Sequence, residues 1–375
     1  MVALATGTGA LVFVIVRLVC VAHGNIAGFI TVGSAHSSAD LLPKGIPVVK
    51  GSGYDGQFYY RMALDPVDLA RSAFGIRFDT TSRLERVGYP ALAWLLAGGR
   101  SSLVPITLVA TNVVGLAALG FGGALMARDS GRHAAWGAVL AGYWGYLWSI
   151  SRDLTEITAA AFLIFGLYAY RRHRWWLAGT CLLGAVLSKE TAAYIVAIIA
   201  ATRLYDWSAH RSRHPLEATD VAWGLPLLGF AAWQLFVLHG TGSLPLRASG
   251  NANLGPPILG FIDGFRHYVT ALPSVASMLW LGELAVLTAV AVTAGMSIRR
   301  SAAPIHERVA WVAVVLVAIV AAPGIWLGDV GFRSLDDVYL FSWIVLLATP
   351  KRLSPLCGLI GCTWLIVAVE LVLFR

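Results

Sequence analysis

A compact group of polar side chains lies at residues 53–61, directly after the first long apolar stretch of the sequence. Asp55 follows Tyr54 in a Gly-Tyr-Asp-Gly stretch, and Gln57, Tyr60 and Arg61 come within the next two helical turns. A carboxylate placed there can accept a proton from a substrate hydroxyl, because the flanking glycines let a substrate approach closely. The Asp-Gly step also suits an Asx turn, in which the carboxylate serves only the backbone. The amide, the cation and the tyrosines favour a substrate-binding group around a catalytic base.

Two further pairs of charged residues interrupt apolar stretches, Asp153 with Glu156 and Lys189 with Glu190. A charge at membrane depth costs about 3 kcal/mol, so such residues usually have a role. Asp153 and Glu156 have the spacing of a capping box, which leaves a structural role open for both. Lys189 and Glu190 are adjacent and could pair with each other in a solvated turn. If these residues line a cleft instead, all four are candidates for binding a substrate.

Arg333 and Asp336 form another polar group, close to the last apolar stretches. Ser334 and Asp337 have the spacing of a helix cap, which leaves Arg333 and Asp336 free for other contacts. A guanidinium can hold a phosphate through two parallel hydrogen bonds. Arg333 is therefore a candidate phosphate ligand, and Asp336 is a candidate to bind substrate beside it.

The chain that carries these groups has 375 residues, of which 58% are hydrophobic and 13% charged, and its mean hydropathy is +0.72. In an ordinary soluble domain about a quarter of the residues are charged. The composition therefore predicts an all-α polytopic membrane protein. Apolar runs recur along the whole chain, most of them near the ~20 residues that a transmembrane helix needs, and predict about eleven spans in one domain over residues 1–375.

The net charge of +8 does not indicate nucleic-acid binding, because the basic residues lie in short connections between the spans. They occupy alternate connections, as the positive-inside rule expects of the cytoplasmic side. These residues are Arg128, Arg132, Arg171, Arg172, Arg174, Arg203, Arg211, Arg213, Arg299, Arg300, Arg308, Lys351 and Arg352. The connections predicted to face outward are 34–101, the turn near 152, the tip near 189, 240–274 and 329–336.

The outward loops differ in their predicted structure. The first extracytoplasmic loop, 34–101, is predicted to hold two short helices along the membrane interface, at 56–64 and 66–74. Asp65 followed by Pro66 has the pattern of a helix N-cap, so Asp65 is predicted to be structural. The loop 240–274 is rich in Gly, Pro and Asn and is predicted to be irregular. The apolar runs around Lys189 are short and predict a hairpin whose tip faces a cavity.

The sequence gives no positive sign of a cofactor. Its four cysteines lie inside apolar segments without metal-ligand spacing, and it contains no Asp-X-Asp pair. A divalent ion at Gln57, Asp153 or Glu156 is the weaker alternative to sugar binding by these side chains.

Together these features resemble the GT-C superfamily, integral membrane glycosyltransferases that use polyprenyl-phosphate sugars, and in particular bacterial members linked to cell-surface glycopolymers. The resemblance rests on the multi-span architecture and on YDGQFY at 54–59 with ALDP at 63–66, DLTE at 153–156 and KET at 189–191. In that superfamily an acidic residue of the first outer loop is the catalytic base, and Asp55 matches it by position. The resemblance implies a GT-C-like helical bundle in a bacterial inner membrane, with its active site on the extracytoplasmic side.

The activity that this resemblance implies is transfer of a sugar from a polyprenyl-phosphate donor to a glycan or lipid acceptor, with inversion at the anomeric carbon. Asp55 would deprotonate the acceptor hydroxyl, and Arg333, Lys189 or Arg61 would stabilise the departing phosphate. The residues expected to bind substrate are Tyr54, Gln57, Tyr60, Arg61, Asp153, Glu156, Lys189, Glu190, Arg333 and Asp336.

Two other functions stay open at this point. A transporter or flippase for lipid-linked saccharides would also need charged groups and a cleft, but such proteins are commonly built from inverted repeats with helices broken at the midplane. The sequence shows no repeat, and its polar groups gather near one surface. A non-catalytic subunit of an envelope-assembly complex is the third possibility, and it would tolerate loss of Asp55.

Overall fold

A computed structural model describes residues 1–210, 218–328 and 332–373. Arg211 and Arg213, two of the basic residues assigned to the cytoplasmic side, lie outside the described residues, as do residues 329–331 of the last predicted outer turn. Nearly all of the regular structure is helical. In chain order the α-helices are α1 (Val2–Cys20), α2 (Gly56–Leu64), α3 (Gly88–Leu96), α4 (Val104–Asp129), α5 (Ala138–Ala141), α6 (Gly145–Ser151), α7 (Glu156–Arg171), α8 (Trp175–Ser188), α9 (Thr191–His210), α10 (Val221–Thr241), α11 (Pro245–Asn253), α12 (Leu259–Thr270), α13 (Val275–Ser297), α14 (Ile305–Ile319), α15 (Pro323–Trp326), α16 (Asp336–Leu347) and α17 (Ser354–Leu373).

Short elements complete the fold. The 3₁₀ helices are Ile26–Phe29, Ala39–Leu41, Thr81–Glu85, Ser101–Leu103, Ala134–Gly137, Ala218–Asp220, Ile298–Arg300 and Arg333–Leu335. Two small sheets lie in the first loop: β1 (Val32–Gly33) pairs in parallel with β2 (Val48–Val49), and β3 (Ser72–Ala73) pairs antiparallel with β4 (Ile76–Arg77).

Among the described residues, five helical segments are long and apolar enough to cross a membrane. They are Val2–Cys20, Ser101–Asp129, Ala218–Thr241, Val275–Arg300 and Ser354–Leu373. The prediction of an all-α membrane protein is confirmed at this level, whereas the prediction of eleven spans is not. One reason is that the apolar run at 134–151 is divided between the 3₁₀ helix Ala134–Gly137 and the short helices α5 and α6.

The core of the bundle depends on small residues in α4. This helix packs against α1 and α7, and a Cβ atom added at Gly120 would lie 2.3 Å from Oγ1 of Thr6 on α1. A Cβ atom at Gly122 would lie 2.7 Å from Ile164 on α7. Glycine therefore allows both neighbours to approach α4 closely, as is common between membrane helices. Every residue of α16 is buried, so that helix lies in the interior of the bundle.

The two outer loops differ from their predictions. Helix α2 is present, but all of its residues are buried, so it does not lie on the membrane interface with one apolar face. The predicted helix at 66–74 is wrong, because that segment forms turns and the β3–β4 hairpin; the Asp65 carboxylate accepts from the N–H of Val67 at 3.2 Å. The loop 240–274 is not irregular, since α11 and α12 occupy most of it.

Tertiary packing explains why the loop 240–274 is helical and not irregular as predicted. Helix α11 is fixed at its start, where the Leu246 N–H donates to Oε1 of Gln234 on α10 at 3.0 Å. Past its end, the Gly255 N–H donates to the Val320 carbonyl at 2.8 Å. In α12, a Cβ atom at Gly260 would lie 2.3 Å from the carbonyl oxygen of Ala321, so glycine there permits close packing rather than disorder.

The described parts of the connections predicted to face outward lie together at one end of the bundle. Side chains of the first loop contact the start of α9 and the 3₁₀ helix Arg333–Leu335, and α10 and α11 contact the first loop as well. At the opposite end, Arg171 pairs with Glu307, and Arg132 donates to the carbonyls of Leu347 and Lys351. This separation places the polar candidate residues around one region of the molecule.

Candidate functional site

A cavity of about 440 Å³ lies beneath the first loop, between the start of α9, helices α11 and α14, and the start of α16. Its charged lining residues are Asp55, Arg83, Arg86, Glu156, Lys189, Glu190, Arg333 and Asp337. Aliphatic residues from α14 and the segment that follows it form another part of the wall: Val314, Val317, Ala318, Ala321 and Ile325. The cavity is therefore charged in one part and apolar in another.

Asp55 lies where α2 begins, and its carboxylate is held by two guanidinium groups. Oδ1 lies 2.8 Å from Nη1 of Arg83, and Oδ2 lies 3.0 Å from Nη2 of Arg333. The side chain makes no hydrogen bond that would cap α2, so the Asx-turn interpretation is not supported. About 18% of the side chain is exposed, so the carboxylate is accessible from the cavity.

The charged neighbours set the acidity of Asp55. Burial alone would raise the pKa of this carboxyl, but the charges of Arg83, Arg333 and Arg86 outweigh it and hold the pKa below its ordinary value of 3.8. Asp55 is thus ionised at neutral pH. Its strength as a base is reduced for as long as both guanidinium groups stay on the carboxylate.

Arg333 joins three side chains through its guanidinium group. Its Nε donates to the Tyr54 hydroxyl at 3.1 Å, Nη1 donates to Oε1 of Glu156, and Nη2 donates to Asp55. The other oxygen of Glu156 accepts from the Ser149 hydroxyl at 3.0 Å. The planar guanidinium group suits this role, because its donors point in fixed directions.

Two arginines of the site were absent from the candidates named from the sequence. Arg83 lies in the 3₁₀ helix Thr81–Glu85 and Arg86 follows directly after it, so the spacing of three places both on one face. Arg83 also pairs with Asp79, at 2.9 Å. Arg86 donates to both oxygens of Glu190 at 2.7 Å, and to the Tyr59 hydroxyl at 3.2 Å. The Arg-X-X-Arg spacing in an outer loop was the signal that could have identified them.

Lys189 pairs with acidic residues of α16 rather than with its neighbour Glu190. Its Nζ donates to Asp336 and, at 2.8 Å, to Oδ2 of Asp337, which also accepts from the Thr191 hydroxyl at 2.6 Å. Asp337 lines the cavity, whereas Asp336 lies behind Lys189 and does not. The predicted cap formed by Ser334 and Asp337 is wrong, because no side chain caps the start of α16. Lys189 thus fastens the tip of the α8–α9 hairpin to the helix that follows Arg333.

Asp153 is buried but does not reach the cavity. Its backbone has a positive φ of 51°, and neither carboxylate oxygen has a hydrogen-bond partner within the described part of the chain. The predicted capping box is wrong, because α7 starts at Glu156 without a side-chain cap. Glu156 belongs to the site through Arg333, and Asp153 does not.

Gln57 and Tyr60 lie on faces of α2 that point away from the cavity. The Gln57 amide accepts from the Gly33 N–H at 3.0 Å and donates to the Ser52 carbonyl at 2.8 Å, so it fastens α2 to the preceding loop. Tyr60 is 1% exposed and is packed in the core beneath the first loop. Neither residue lines the cavity, so the structure gives no support for their predicted role in substrate binding.

Arg61 is also placed away from the cavity. It donates to the Ala70 carbonyl, lies 3.5 Å from the carboxylate of Asp68, and has its guanidinium carbon 3.9 Å from the centre of the Phe78 ring. These contacts hold the turn after α2 in place. Arg61 does not line the cavity, so the structure gives no support for its predicted phosphate role.

Among the described residues, no group of three or more His, Cys, Asp or Glu side chains is arranged to hold a metal ion. Comparison of the chain with known protein families, with curated proteins and with solved structures finds no match in any of the three. What the protein does is therefore inferred from the cavity itself.

Proposed function

We propose that this protein is a membrane glycosyltransferase of the GT-C type. It transfers a sugar from a polyprenyl-phosphate donor to a glycan or lipid acceptor, with Asp55 as the general base. The observation that carries this proposal is the cavity in which Asp55 meets Arg83 and Arg333 on one side and an aliphatic wall on the other.

The shape of the charge distribution supports a lipid-linked substrate. Guanidinium groups recognise phosphate through paired hydrogen bonds, and the cavity presents Arg83, Arg86 and Arg333. The aliphatic side of the cavity, with Val314 and Val317 of α14, suits the hydrocarbon part of the same molecule. A free sugar nucleotide would leave that apolar wall unused.

The chemistry balances with the residues present. The acceptor oxygen attacks the anomeric carbon, the bond from that carbon to the phosphate oxygen breaks, and polyprenyl phosphate leaves with the bonding electron pair. The acceptor proton passes to the carboxylate of Asp55. The guanidinium groups stabilise the negative charge that develops on the leaving phosphate. Direct displacement inverts the configuration at the anomeric carbon.

The ion pairs of Asp55 fit this sequence of events. Arg83 and Arg333 neutralise the carboxylate, and the phosphate group of a bound donor would compete with the carboxylate for the same guanidinium groups. As the arginines turn toward the phosphate, the pKa of Asp55 rises toward its ordinary value and the carboxylate becomes a better base. Donor binding thus prepares the base for the acceptor.

The proposed orientation places the cavity on the extracytoplasmic side of a bacterial inner membrane. Basic residues such as Arg132 and Arg171 lie at the end of the bundle opposite the cavity, where the positive-inside rule expects the cytoplasm. A donor and an acceptor exposed on the outer side would then reach Asp55 without crossing the bilayer.

Reconstitution of the purified protein into liposomes that contain a panel of polyprenyl-phosphate hexoses and pentoses tests this function. Membranes from a strain that lacks the gene supply the acceptors. We expect release of free polyprenyl phosphate together with sugar bound to an acceptor. Movement of intact donor between the leaflets without release of polyprenyl phosphate would contradict the proposal and favour a flippase. Absence of both reactions across the panel would favour a non-catalytic subunit.

A further inference from the structure

A second cavity of about 500 Å³ adjoins the first, and Asp55 lies in the wall between them. The residues that line both cavities include Asp55, Arg83, Asn253 and Arg333. Tyr54, Arg152, Gly324 and Gly328 line only the second. One carboxylate therefore faces two adjoining spaces whose linings overlap but are not the same.

The linings of the two cavities differ in polarity. In the first cavity, α14 and the residues after it supply several aliphatic side chains, among them Val314, Val317 and Ala318. In the second cavity, Ala252 and Ile325 are the aliphatic residues of the described lining. The second cavity therefore suits a hydrated, hydroxyl-bearing molecule better than a hydrocarbon chain.

Stacked aromatic rings fix one polar wall of the second cavity. The guanidinium carbon of Arg152 lies 4.5 Å from the centre of the Tyr54 ring and 4.6 Å from that of Trp148. The guanidinium group of Arg152 therefore lies against two aromatic rings, which restrict its orientation. On the other side of Tyr54, its hydroxyl accepts from Arg333. The wall is ordered before any acceptor arrives.

We infer that the second cavity is the acceptor site and that its acceptor is the polar end of a glycan rather than the hydroxyl of a membrane lipid. This inference rests on the proposed function, because it assigns the first cavity to the lipid-linked donor. A glycan hydroxyl that enters from the second cavity meets the anomeric carbon of the donor at Asp55. The acceptor proton then passes to Asp55, and the phosphate leaves toward the guanidinium groups of Arg83 and Arg333. All of these groups belong to the wall that the two cavities share.

Gly324 offers a way to fill the second cavity alone. It lines the second cavity but not the first, and a Cβ atom added there would meet no other atom within 4 Å. The side chain of a tryptophan at this position would therefore start in open space. Gly282 on α13 is a matched control, since a Cβ atom there also meets nothing within 4 Å and the residue lines neither cavity.

The experiment compares Gly324→Trp and Gly282→Trp with the wild type in two measurements. The first follows labelled sugar from the donor into the water-soluble glycans and the solvent-extractable lipids of membranes from the deletion strain. The second measures binding of polyprenyl phosphate itself by thermal stabilisation of the protein. We expect wild-type label in the glycan fraction, a fall of at least ~10-fold in Gly324→Trp, and no fall in Gly282→Trp. Binding of polyprenyl phosphate should change by less than about twofold in both variants.

Three results would overturn the acceptor site while leaving the glycosyltransferase proposal intact. The first is undiminished transfer by Gly324→Trp, and the second is loss of polyprenyl phosphate binding in that variant. The third is wild-type label that enters the lipid fraction instead of the glycans. A wild-type protein that releases no polyprenyl phosphate from any donor would instead contradict the proposed function itself.

Discussion

Arg333 and Asp55 are 278 residues apart in the chain, yet Nη2 of the arginine lies 3.0 Å from Oδ2 of the aspartate in the wall shared by the two cavities. The same guanidinium group binds Glu156 at the start of α7 and Tyr54 in the first loop. Arg333 therefore connects three distant parts of the sequence at the carboxylate proposed as the base. We therefore expect removal of the Arg333 side chain to lower the rate of sugar transfer by more than the loss of one positive charge would.

Substitution of Arg333 tests this connection. In Arg333→Gln we expect the rate of sugar transfer to fall by about 100-fold or more, because one donor to a developing charge is commonly worth that much. Arg333→Lys should not restore the rate, since an ammonium group cannot reach Tyr54, Glu156 and Asp55 at once. Initial rates at saturating donor provide the measurement, and the exposed Arg100→Gln is the control. Full activity of the lysine variant would show that only charge matters.

The pH dependence of transfer depends on the ion pair between Asp55 and Arg83. A base acts only when it is deprotonated, so activity is lost as the pH falls through the pKa of Asp55. The pH profile of kcat/KM reports the free protein, in which the pKa of Asp55 is lowered, so the wild-type profile of kcat/KM should stay flat down to ~pH 5 or below. Arg83→Gln removes a charge that lowers this pKa, so its acid limb should move to higher pH. An acid limb that stays in place, or moves to lower pH, would contradict the assignment of Asp55 as the base.

Lys189 is predicted to stabilise the fold rather than to bind phosphate. Its loss in Lys189→Met leaves Asp336 and Asp337 buried without their cation, which typically costs about 3–5 kcal/mol. The double variant Lys189→Met with Asp336→Asn removes one of the two buried carboxyl groups left without Lys189 and should recover part of that stability. Thermal unfolding of the purified variants in detergent measures both effects. A single variant that keeps its melting temperature but loses transfer would assign Lys189 to the substrate instead.

Glu85 gives the fold a dependence on pH. Burial and then the charge of Glu190 raise the pKa of Glu85 to about 8, above its ordinary value of 4.5. The folded state therefore binds a proton more tightly than the unfolded state, and stability falls as the pH rises from 4.5 to about 8. Between ~pH 5 and ~pH 9, the melting temperature of Glu85→Gln should fall by less than that of the wild type. Asp40→Asn, at an exposed carboxylate, should match the wild type; an equal loss in Glu85→Gln would contradict the raised pKa.

Alternation of the connections predicts that charged groups gather at one end. In a helical membrane protein every second connection lies on the same side, so polar residues near 55, 153, 189 and 333 were expected on one side of the membrane. The structure brings Asp55, Glu156, Lys189 and Arg333 to one cavity. Asp153 was expected to bind substrate beside Glu156, but it is buried and does not line the cavity.

Within the first loop, helical periodicity predicts which side chains of α2 share a face. Asp55 and Tyr59 are four residues apart at the start of α2, so they share a face, and both line the cavity. Gln57, Tyr60 and Arg61 lie on the other faces of the same helix and serve its packing. Proximity in sequence to Asp55 was therefore a poor predictor of which residues line the cavity. Position around the helix was a better predictor.

The helices between residues 240 and 274 could not be predicted from composition. Glycine and asparagine disfavour isolated helices, but contacts with the rest of the bundle outweigh this preference. Gln234 fixes the start of α11, and the Ser249 hydroxyl donates to Glu190 at 3.4 Å. Such contacts join residues that are distant in sequence, so no local pattern reports them.

The most direct measurement compares the rate of sugar transfer by purified Asp55→Asn with that of Asp79→Asn. Both variants remove a carboxylate that contacts Arg83, but only Asp55 lines the cavity. We predict that Asp55→Asn loses roughly 1,000-fold or more in rate, within the range for loss of a general base, and that Asp79→Asn stays within about threefold of the wild type. A folded Asp55→Asn protein that transfers sugar as fast as the wild type would contradict the mechanism.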